Sequence, residues 1–227
     1  MNAEVYGVLT GDLVQSSRLS SEASAQAMQW LREASARFGG QHPGSVIGEL
    51  DTFRHDSWQL LLARPELSLR AAVYLRTALK LHSGNGAGYD TRISMGIGGV
   101  ELIAKGRISD SRGGAFTLSG KNLDAMDRVR MIWEAESMDG AGRVIKGAVV
   151  PLLDCVVTDW TPTEAGVVHG SLEGRTQEQI AQVSPRNPRT GKVVTRQAIA
   201  DSMDRGHWGI VEEALRFMEE DKLWNLR

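Results

Sequence analysis

Residues 45–63 read SVIGELDTFRHDSWQLLLA and contain two apolar, β-favouring runs separated by three polar residues. The runs cover residues 45–53 and 57–63, and the polar residues are Arg54, His55 and Asp56. Two short runs joined by a tight polar turn are typical of a β-hairpin. The segment therefore predicts two neighbouring antiparallel strands, from which the rest of the fold can be built outward.

The segments before and after this hairpin alternate between strand and helix patterns. Residues 5–10 form a short apolar run that predicts a buried first strand, and residues 21–38 repeat apolar side chains at helical spacing. After the hairpin, helical spacing from about residue 65 to 82 precedes a β-favouring run at residues 91–103. The resulting order, βαββαβ, predicts an α+β fold with a ferredoxin-like sheet and its helices on one face.

Glycines interrupt the last of these strands, and the chain beyond it is less regular. A bulge or a close backbone approach is expected at Gly96, Gly98 and Gly99. Further patterns indicate a helix at residues 115–127, a strand at residues 131–135 and helical structure from residue 151. We therefore expect an α+β domain over residues 1–150 and an all-α domain over residues 151–227.

The composition limits the cellular compartment and the binding partners that can be expected for this chain. Its 227 residues are 41% hydrophobic, which is enough for one large core or two modest ones. The formal net charge of −2 excludes a generic polyanion binder, so affinity for nucleic acid has to come from a local basic patch. The first residues lack the regions of a signal peptide, and no apolar run approaches the roughly 20 residues of a membrane span. With one cysteine, Cys155, the sequence predicts a cytoplasmic protein without membrane contact.

Residues 161–218 carry a succession of helix-start signals. A Thr-Pro-Thr-Glu sequence at residues 161–164 begins one helix, and a Thr-Gln-Glu-Gln sequence at residues 176–179 begins a second, shorter one. After a turn at residues 184–192, a third helix is expected at residues 195–203, followed by an amphipathic helix from residue 207. A short helix, a turn and a helix with polar outer positions predict a helix-turn-helix DNA-binding domain.

The N-terminal end of the third helix has the side chains that DNA contact requires. Positive charges there would meet phosphates, and polar side chains at the helix start would read base edges. The expected DNA-binding residues are Arg186, Arg189, Lys192, Thr195, Arg196 and Gln197. We expect a homodimer, because half-site recognition usually uses two-fold symmetry. The turn is several residues longer than a standard one, and the alternative is an ordinary three-helix bundle used for dimerisation.

Two aspartates in the α+β part are placed to share a divalent cation. Asp12 follows the first strand and Asp56 lies in the hairpin turn, and a ferredoxin-like sheet sets those strands side by side. Paired carboxylates bind Mg²⁺, which in turn holds phosphate oxygens. The sequence thus predicts a nucleotide site, with phosphate-binding side chains expected from Ser17, Arg18, Ser57, Ser119 and Lys121. The alternative is that both aspartates are ordinary loop and turn residues.

Four stretches of the α+β part form a recognisable pattern: residues 11–18 (GDLVQSSR), 53–59 (FRHDSWQ), 92–98 (RISMGIG) and 115–123 (AFTLSGKNL). At these positions the chain resembles the SatD-like family of bacterial proteins. The helix-turn-helix pattern and the His207-Trp208 pair that follows it fit the same family, so the resemblance covers nearly the whole chain. The resemblance implies an architecture more than an activity.

The α+β part is also distantly similar to class III nucleotidyl cyclases. In those enzymes one Asp on the first strand and one in the following hairpin bind two metal ions, and Asp12 and Asp56 occupy matching places. The positions of the cyclases' helical Asn and Arg hold Leu118 and Asn122, and their base-reading Lys is Thr52 here. The similarity therefore implies a nucleotidyl-cyclase-like fold and metal-dependent nucleotide binding more than standard cyclase chemistry.

Together these patterns predict a DNA-binding transcription regulator. Its cyclase-like domain would sense a nucleotide through Asp12, Asp56 and Mg²⁺, and its helix-turn-helix would bind DNA. One alternative is a divergent nucleotidyl cyclase or nucleotide-processing enzyme whose helical tail serves assembly. Another is an interaction module without a ligand.

Overall fold

In the computed structural model, which describes residues 4–84, 88–185, 191 and 193–220, a five-stranded mixed sheet forms the centre of the protein. Its strands are β1 (Val5–Leu13), β2 (Val46–Phe53), β3 (Ser57–Leu62), β4 (Thr91–Gly99) and β5 (Met131–Ala135). They lie in the order β2-β3-β1-β4-β5. β4 and β5 pair in parallel, whereas the other neighbours are antiparallel. The predicted α+β class is confirmed.

β2 and β3 form the predicted hairpin. Phe53 pairs with Ser57 across a three-residue turn, in which Arg54 takes a left-handed backbone conformation with a φ of 60°. The register shifts between Ile47 and Asp51, as it does at a β-bulge. β3 is buried along its whole length, because it lies between two strands and both faces of the sheet are covered.

Two long helices, α1 (Ser21–Gln41) and α2 (Ser68–Lys80), cover one face of the sheet. α1 begins at Ser20, whose hydroxyl accepts a hydrogen bond from the backbone N–H of Ala23 at 3.1 Å. Side chains of both helices share one hydrophobic core with the strands; its fully buried members include Leu9, Leu31, Trp58 and Leu75. Burying a side chain of this size stabilises the fold by about 1.5–3 kcal/mol.

The opposite face is covered by α3 (Gly114–Asp124). Successive residues of a strand point to opposite faces, so Leu9 lies beneath α1 and α2 while Val8 packs against Phe116 of α3. A Cβ atom at Gly96 would lie 2.7 Å from the backbone nitrogen of Ser119. The close backbone approach predicted for this strand is therefore confirmed at Gly96.

A continuous helical run follows β5. It consists of α4 (Gly140–Val144), one π-helical turn (Ile145–Val149) and α5 (Val150–Asp159). The predicted domain boundary at residue 150 falls inside this run. Leu153 of α5 and Val168 further along belong to the same core as Leu9, so the hydrophobic core continues across that point. The division into two domains stays a prediction.

Four shorter helices complete the described chain: α6 (Pro162–Leu172), α7 (Gln177–Val183), α8 (Arg196–Arg205) and α9 (Trp208–Met218). The predicted capping boxes at the starts of α6 and α7 are confirmed, with Thr161 opposite Glu164 and Thr176 opposite Gln179. No helix in the described ranges is long and apolar enough to cross a membrane.

α6, α7 and α8 share a small hydrophobic core of their own. Its buried members are Val167, Ile180, Ala181 and Ile199. α6 and α7 approach closely, because a Cβ atom at Gly170 would lie 2.8 Å from Cγ1 of Ile180. α9 instead adds Val211, Leu215 and Met218 to the main core. α6, α7 and α8 therefore form a compact unit. The helices before and after it in the chain, α5 and α9, both contribute side chains to the main core.

Candidate functional sites

A cleft of about 370 Å³ opens where the end of β1, the hairpin turn and the loop before β5 meet. This volume is within the range of about 300–1,000 Å³ that is usual for small-ligand pockets. The residues that line it are Asp12, Leu13, Val14, Gln15, Ser16, Ser17, Asp56, Arg92, Asp127, Arg128, Val129 and Arg130. Three predicted site residues, Asp12, Asp56 and Ser17, thus lie at one cleft.

Asp12 is held by an arginine that lies directly opposite on β4. Asp12 and Arg92 are partners in the β1–β4 register. Arg92 donates from Nε to Oδ1 of Asp12 at 2.8 Å and from Nη2 to the other carboxylate oxygen. The hydrogen bond to Asp12 raises the pKa of Arg92 above its ordinary value. The negative charge of Asp12 is therefore balanced within the protein.

Asp56 is held by neutral donors. Ser16 donates its hydroxyl to Oδ2 of Asp56 at 2.7 Å, and Ser57 donates to Oδ1 at 3.2 Å. The backbone carbonyl of Asp56 accepts from the N–H of Leu13 at 2.9 Å, which fixes the hairpin turn against the end of β1. Since a carboxylate has about four acceptor positions, Asp56 keeps the capacity to bind a cation.

A cation at the cleft would meet the carboxylates of Asp12 and Asp56. Within the described residues, no three His, Cys, Asp or Glu side chains converge on a point that could hold a metal. Asp12 and Asp56 would thus be the protein ligands, and Mg²⁺ is commonly bound by one or two carboxylates, with water and phosphate oxygens completing its shell. Arg92 competes with such an ion for Asp12.

The other predicted phosphate-binding residues do not line the cleft. Ser119 is fully buried, and its hydroxyl lies 2.8 Å from Oγ1 of Thr10, between α3 and β1. Lys121 is exposed on α3. Arg18 is exposed and donates to Oε1 of Gln15 at 3.1 Å. Ser57 donates to the carboxylate of Asp56 but is not itself part of the cleft lining.

Sequence reasoning missed the cations that the structure brings to the cleft. Arg92, Arg128 and Arg130 all line it. Arg128 has a side chain that is 95% exposed, and it pairs at 3.8 Å with the similarly exposed Asp127, which also lines the cleft. The available signal was the charged sequence at residues 127–130 just before β5. Because β5 runs parallel to β4, that loop lies beside the start of β4 and hence beside Arg92.

A buried ion network lies beneath the cleft. Arg76 of α2 is fully buried and donates to both oxygens of Asp90 at 2.9 and 2.7 Å, and to Oδ1 of Asp154 at 2.8 Å. The two carboxylate residues also hold cleft backbone. The N–H of Val14 donates to the carbonyl of Asp90, and the N–H of Arg130 donates to Oδ2 of Asp154. Asp90 and Asp154 therefore bind both the backbone that lines the cleft and Arg76 of α2.

α2 also contacts α6. Oγ1 of Thr77 lies 3.0 Å from Nδ1 of His169, and the hydroxyl of Tyr74 donates to Oε1 of Glu173 at 3.1 Å. Burial lowers the pKa of His169 to about 4, so this imidazole is neutral at pH 7. Burial also raises the pKa of Tyr74 to about 12, and the phenol stays protonated. The interface between α2 and α6 is thus polar but uncharged at these two side chains.

The predicted DNA-binding residues of α8 are exposed at its N-terminal end. Thr195 caps the helix, with its hydroxyl accepting from the N–H of Ala198 at 3.2 Å. Arg196 donates from Nε to Oε1 of Gln177 on α7 at 3.2 Å. Gln197 donates to Oδ1 of Asp201 at 2.8 Å. The remaining predicted residues, Arg186, Arg189 and Lys192, lie outside the described residues.

Comparison of this chain with protein-family models and with curated proteins finds no match to either. The described residues show a mixed α+β protein in which Asp12 and Asp56 lie at one charged cleft and α6, α7 and α8 share a small core.

Proposed function

We propose that this chain is a DNA-binding regulator in which α6, α7 and α8 form a helix-turn-helix and the cleft senses a nucleotide with Mg²⁺. The observation that carries the proposal is the packing of α7 and α8 around a shared core, with Thr195, Arg196 and Gln197 exposed at the start of α8. In a helix-turn-helix the N-terminal residues of the second helix contact base edges.

Local charge supports binding at this end of the molecule. Residues 174–207 contain six Lys or Arg residues and three Asp or Glu residues, in a chain whose net charge is −2. Positive charge attracts the phosphate backbone and supplies affinity that is independent of sequence. Asp201 and Asp204 are exposed further along α8. Because they repel phosphate, DNA is expected to approach the N-terminal half of the helix.

The cleft supports the sensing half of the proposal. Asp12 and Asp56 supply carboxylates for one Mg²⁺ ion, which would neutralise phosphate charge when bound. Arg128 is an exposed cation at the same cleft. The cyclase-like resemblance predicts the same kind of ligand.

A contiguous set of contacts joins the cleft to the helix-turn-helix. Asp90 and Asp154 hold cleft backbone and also bind Arg76 on α2, and α2 contacts α6 through Thr77 and His169. A ligand that shifts Val14 or Arg130 would act on this network. The regulator is proposed to be a cytoplasmic homodimer, in keeping with its single cysteine and with the two-fold symmetry of typical DNA half-sites.

The second candidate is a nucleotide-processing enzyme, and the meeting of Asp12 and Asp56 at one cleft favours it as well. Incubation with each of the four nucleoside triphosphates and Mg²⁺ or Mn²⁺, followed by mass spectrometry, separates the two candidates. The regulator is expected to leave the nucleotides unchanged. A product that disappears in an Asp12→Ala variant would instead establish the enzyme.

Two binding experiments test the regulator directly. Gel shifts with fragments of genomic DNA at two salt concentrations should show a complex that weakens as salt rises. Thermal unfolding with a nucleotide and Mg²⁺ should show a higher midpoint, since a ligand at 100 times its Kd adds about 2.7 kcal/mol to the free energy of unfolding. Asp56→Asn should remove that shift, whereas Asp110→Asn, at an exposed position outside the cleft, should keep it. A protein that shows neither effect is not a regulator of this kind.

A further inference from the structure

The helical run of α4, the π turn and α5 carries an exposed strip that is apolar along its middle and charged at its ends. We call it the α4–α5 face; its residues are Arg143, Val144, Gly147, Ala148, Pro151, Leu152, Cys155 and Asp159. The exposed fraction is 57% for Val144 and 67% for Leu152. Contiguous exposed apolar surface, unlike single exposed apolar side chains, is typical of sites that contact a partner.

The π turn keeps these residues on one side of the helix. Val144 and Leu152 are eight residues apart, which in a regular α-helix would rotate them about 80° from each other. The wider π turn between them removes most of that rotation. Ile145, Val150 and Leu153 are buried on the other side of the same run. The strip is therefore a continuous face and not a set of scattered residues.

The charges at the two ends of the face are complementary to each other. Among the described residues, neither Arg143 at one end nor Asp159 at the other forms an ion pair within 4 Å. Pro151 lies midway between them in the sequence. If two copies of the face packed antiparallel about Pro151, each Arg143 would meet an Asp159 of the other copy. A surface that complements itself when reversed is what a two-fold interface requires.

Residue sizes along the face fit the same arrangement. The antiparallel register about Pro151 sets Gly147 opposite Cys155 of the other copy. Gly147 and Ala148 are small, so the two helix backbones can approach closely on either side of the axis. A Cβ atom at Gly147 would have no heavy atom within 4 Å in the monomer, so this position is open to a neighbour.

We propose that the α4–α5 face is the dimer interface, covered by a second copy of this chain in antiparallel orientation. This inference rests on the homodimer of the proposed function and adds which surface the two copies share. It does not require that the dimer bind DNA. The Arg143–Asp159 contact forms twice in each dimer and sets the register.

Mass measurement by light scattering tests the surface. The wild type is expected to have twice the chain mass of 24.8 kDa, and Leu152→Glu should weaken dimerisation at least about tenfold, which equals about 1.4 kcal/mol. Ile210→Glu is the matched control, because Ile210 is 69% exposed on α9. A monomeric wild type, or a dimer that is lost in Ile210→Glu and kept in Leu152→Glu, would overturn the inference.

Charge reversal tests the orientation. Arg143→Glu and Asp159→Arg should each weaken the dimer, because each places like charges opposite one another. The double variant should recover the wild-type dissociation constant, since both contacts are then restored with reversed sign. Failure of the double variant to recover while the single variants are weakened would contradict the antiparallel pairing.

Cross-linking tests the register. Gly147→Cys should form an intermolecular disulfide with native Cys155 under mild oxidation, and the same substitution in a Cys155→Ser background should not. Equal cross-linking in both backgrounds would refute the register. Gel shifts on the same samples distinguish failure of the dimer interface from failure of the DNA-binding proposal. A dimer that uses this face but binds no DNA would contradict the DNA-binding regulator and leave the interface supported.

Discussion

Asp12 and Arg92 form a two-point ion pair across the β1–β4 pairing, at the entrance of the cleft. Both carboxylate oxygens of Asp12 therefore already accept hydrogen bonds from the guanidinium of Arg92. In the proposed function, a divalent cation at the cleft would have to displace the guanidinium of Arg92 from Asp12, so we expect Arg92 to lower the affinity for metal. This competition is directly measurable.

Replacing Arg92 should strengthen metal binding. Arg92→Gln is expected to bind Mg²⁺ up to about fivefold more tightly, because a partly exposed ion pair contributes up to about 1 kcal/mol. Titration of Mg²⁺ followed by thermal unfolding measures the change. Arg64→Ala, which breaks an exposed Arg64–Glu66 pair away from the cleft, should leave the affinity unchanged. Weaker Mg²⁺ binding in Arg92→Gln would contradict the competition.

Removing the buried arginine beneath the cleft should strongly destabilise the fold. Arg76→Ala leaves Asp154 buried without its counter-charge and leaves Asp90 with only the longer contacts to Lys80 and Arg130, at 3.9 and 3.7 Å. Losing one partner of a buried ion network costs about 3–5 kcal/mol. The free energy of unfolding in urea measures the loss. Arg64→Ala, at an exposed pair, should change it by less than about 1 kcal/mol. Equal effects of the two substitutions would show that the network is dispensable.

His169 should make stability depend on pH. Its folded pKa of about 4 lies below the ordinary value of 6.5, so the unfolded chain binds a proton first as the pH falls. The stabilisation from the buried neutral imidazole is fully present above pH 6.5 and is lost as the pH falls toward 4. The expected loss is about 3 kcal/mol, from the 1.36 kcal/mol that corresponds to each pKa unit.

The matched variant for this pH effect is His169→Gln. Its urea midpoint should fall less between pH 6.5 and 4.5 than the wild-type midpoint does. His42 and His82 contribute in the same direction, because burial lowers their pKa values as well, so a residual slope is expected. Identical slopes in the variant and the wild type would rule out His169 as the source.

Alanine substitutions at Gly96 of β4 and at Gly120 of α3 should change the free energy of unfolding in opposite directions. Gly96→Ala forces a Cβ atom against the backbone of α3, and overpacking of this kind costs about 1–3 kcal/mol. Gly120→Ala meets open space inside α3 and should stabilise the protein by about 0.5–1 kcal/mol, because alanine is the better helix former. Urea unfolding of both variants gives the comparison. A stabilising Gly96→Ala would mean that α3 does not touch β4 there.

Local sequence patterns were sufficient for most of the fold. The hairpin, the strand at residues 131–135 and the caps at Thr161 and Thr176 all follow from signals within a few residues of each other. The helix predicted from residue 151 begins earlier, at residue 140, because glycine-rich residues 140–147 weaken the helical pattern that packing then completes.

The candidate site was only partly predictable. Asp12 and Asp56 were found because strand order alone brings the two strand ends together. Arg92 was missed as the partner of Asp12, because the register between strands far apart in sequence is set by packing and not by local pattern. Ser119 was predicted to bind phosphate, but its hydroxyl contacts Thr10 of β1. Tertiary packing decides which face of α3 meets the sheet, and the local sequence does not show it.

The most direct test of the regulator is the salt dependence of DNA binding in Arg196→Ala compared with Arg216→Ala. Both arginines are exposed, but Arg196 starts α8, whereas Arg216 lies on α9 and pairs with Glu212. Fluorescence anisotropy with labelled genomic fragments should show weaker binding for Arg196→Ala and a slope of log K against log salt that is shallower by about 1. Arg216→Ala should match the wild type. Equal affinities and equal slopes for all three proteins, or no wild-type binding at low salt, would contradict a helix-turn-helix that uses α8.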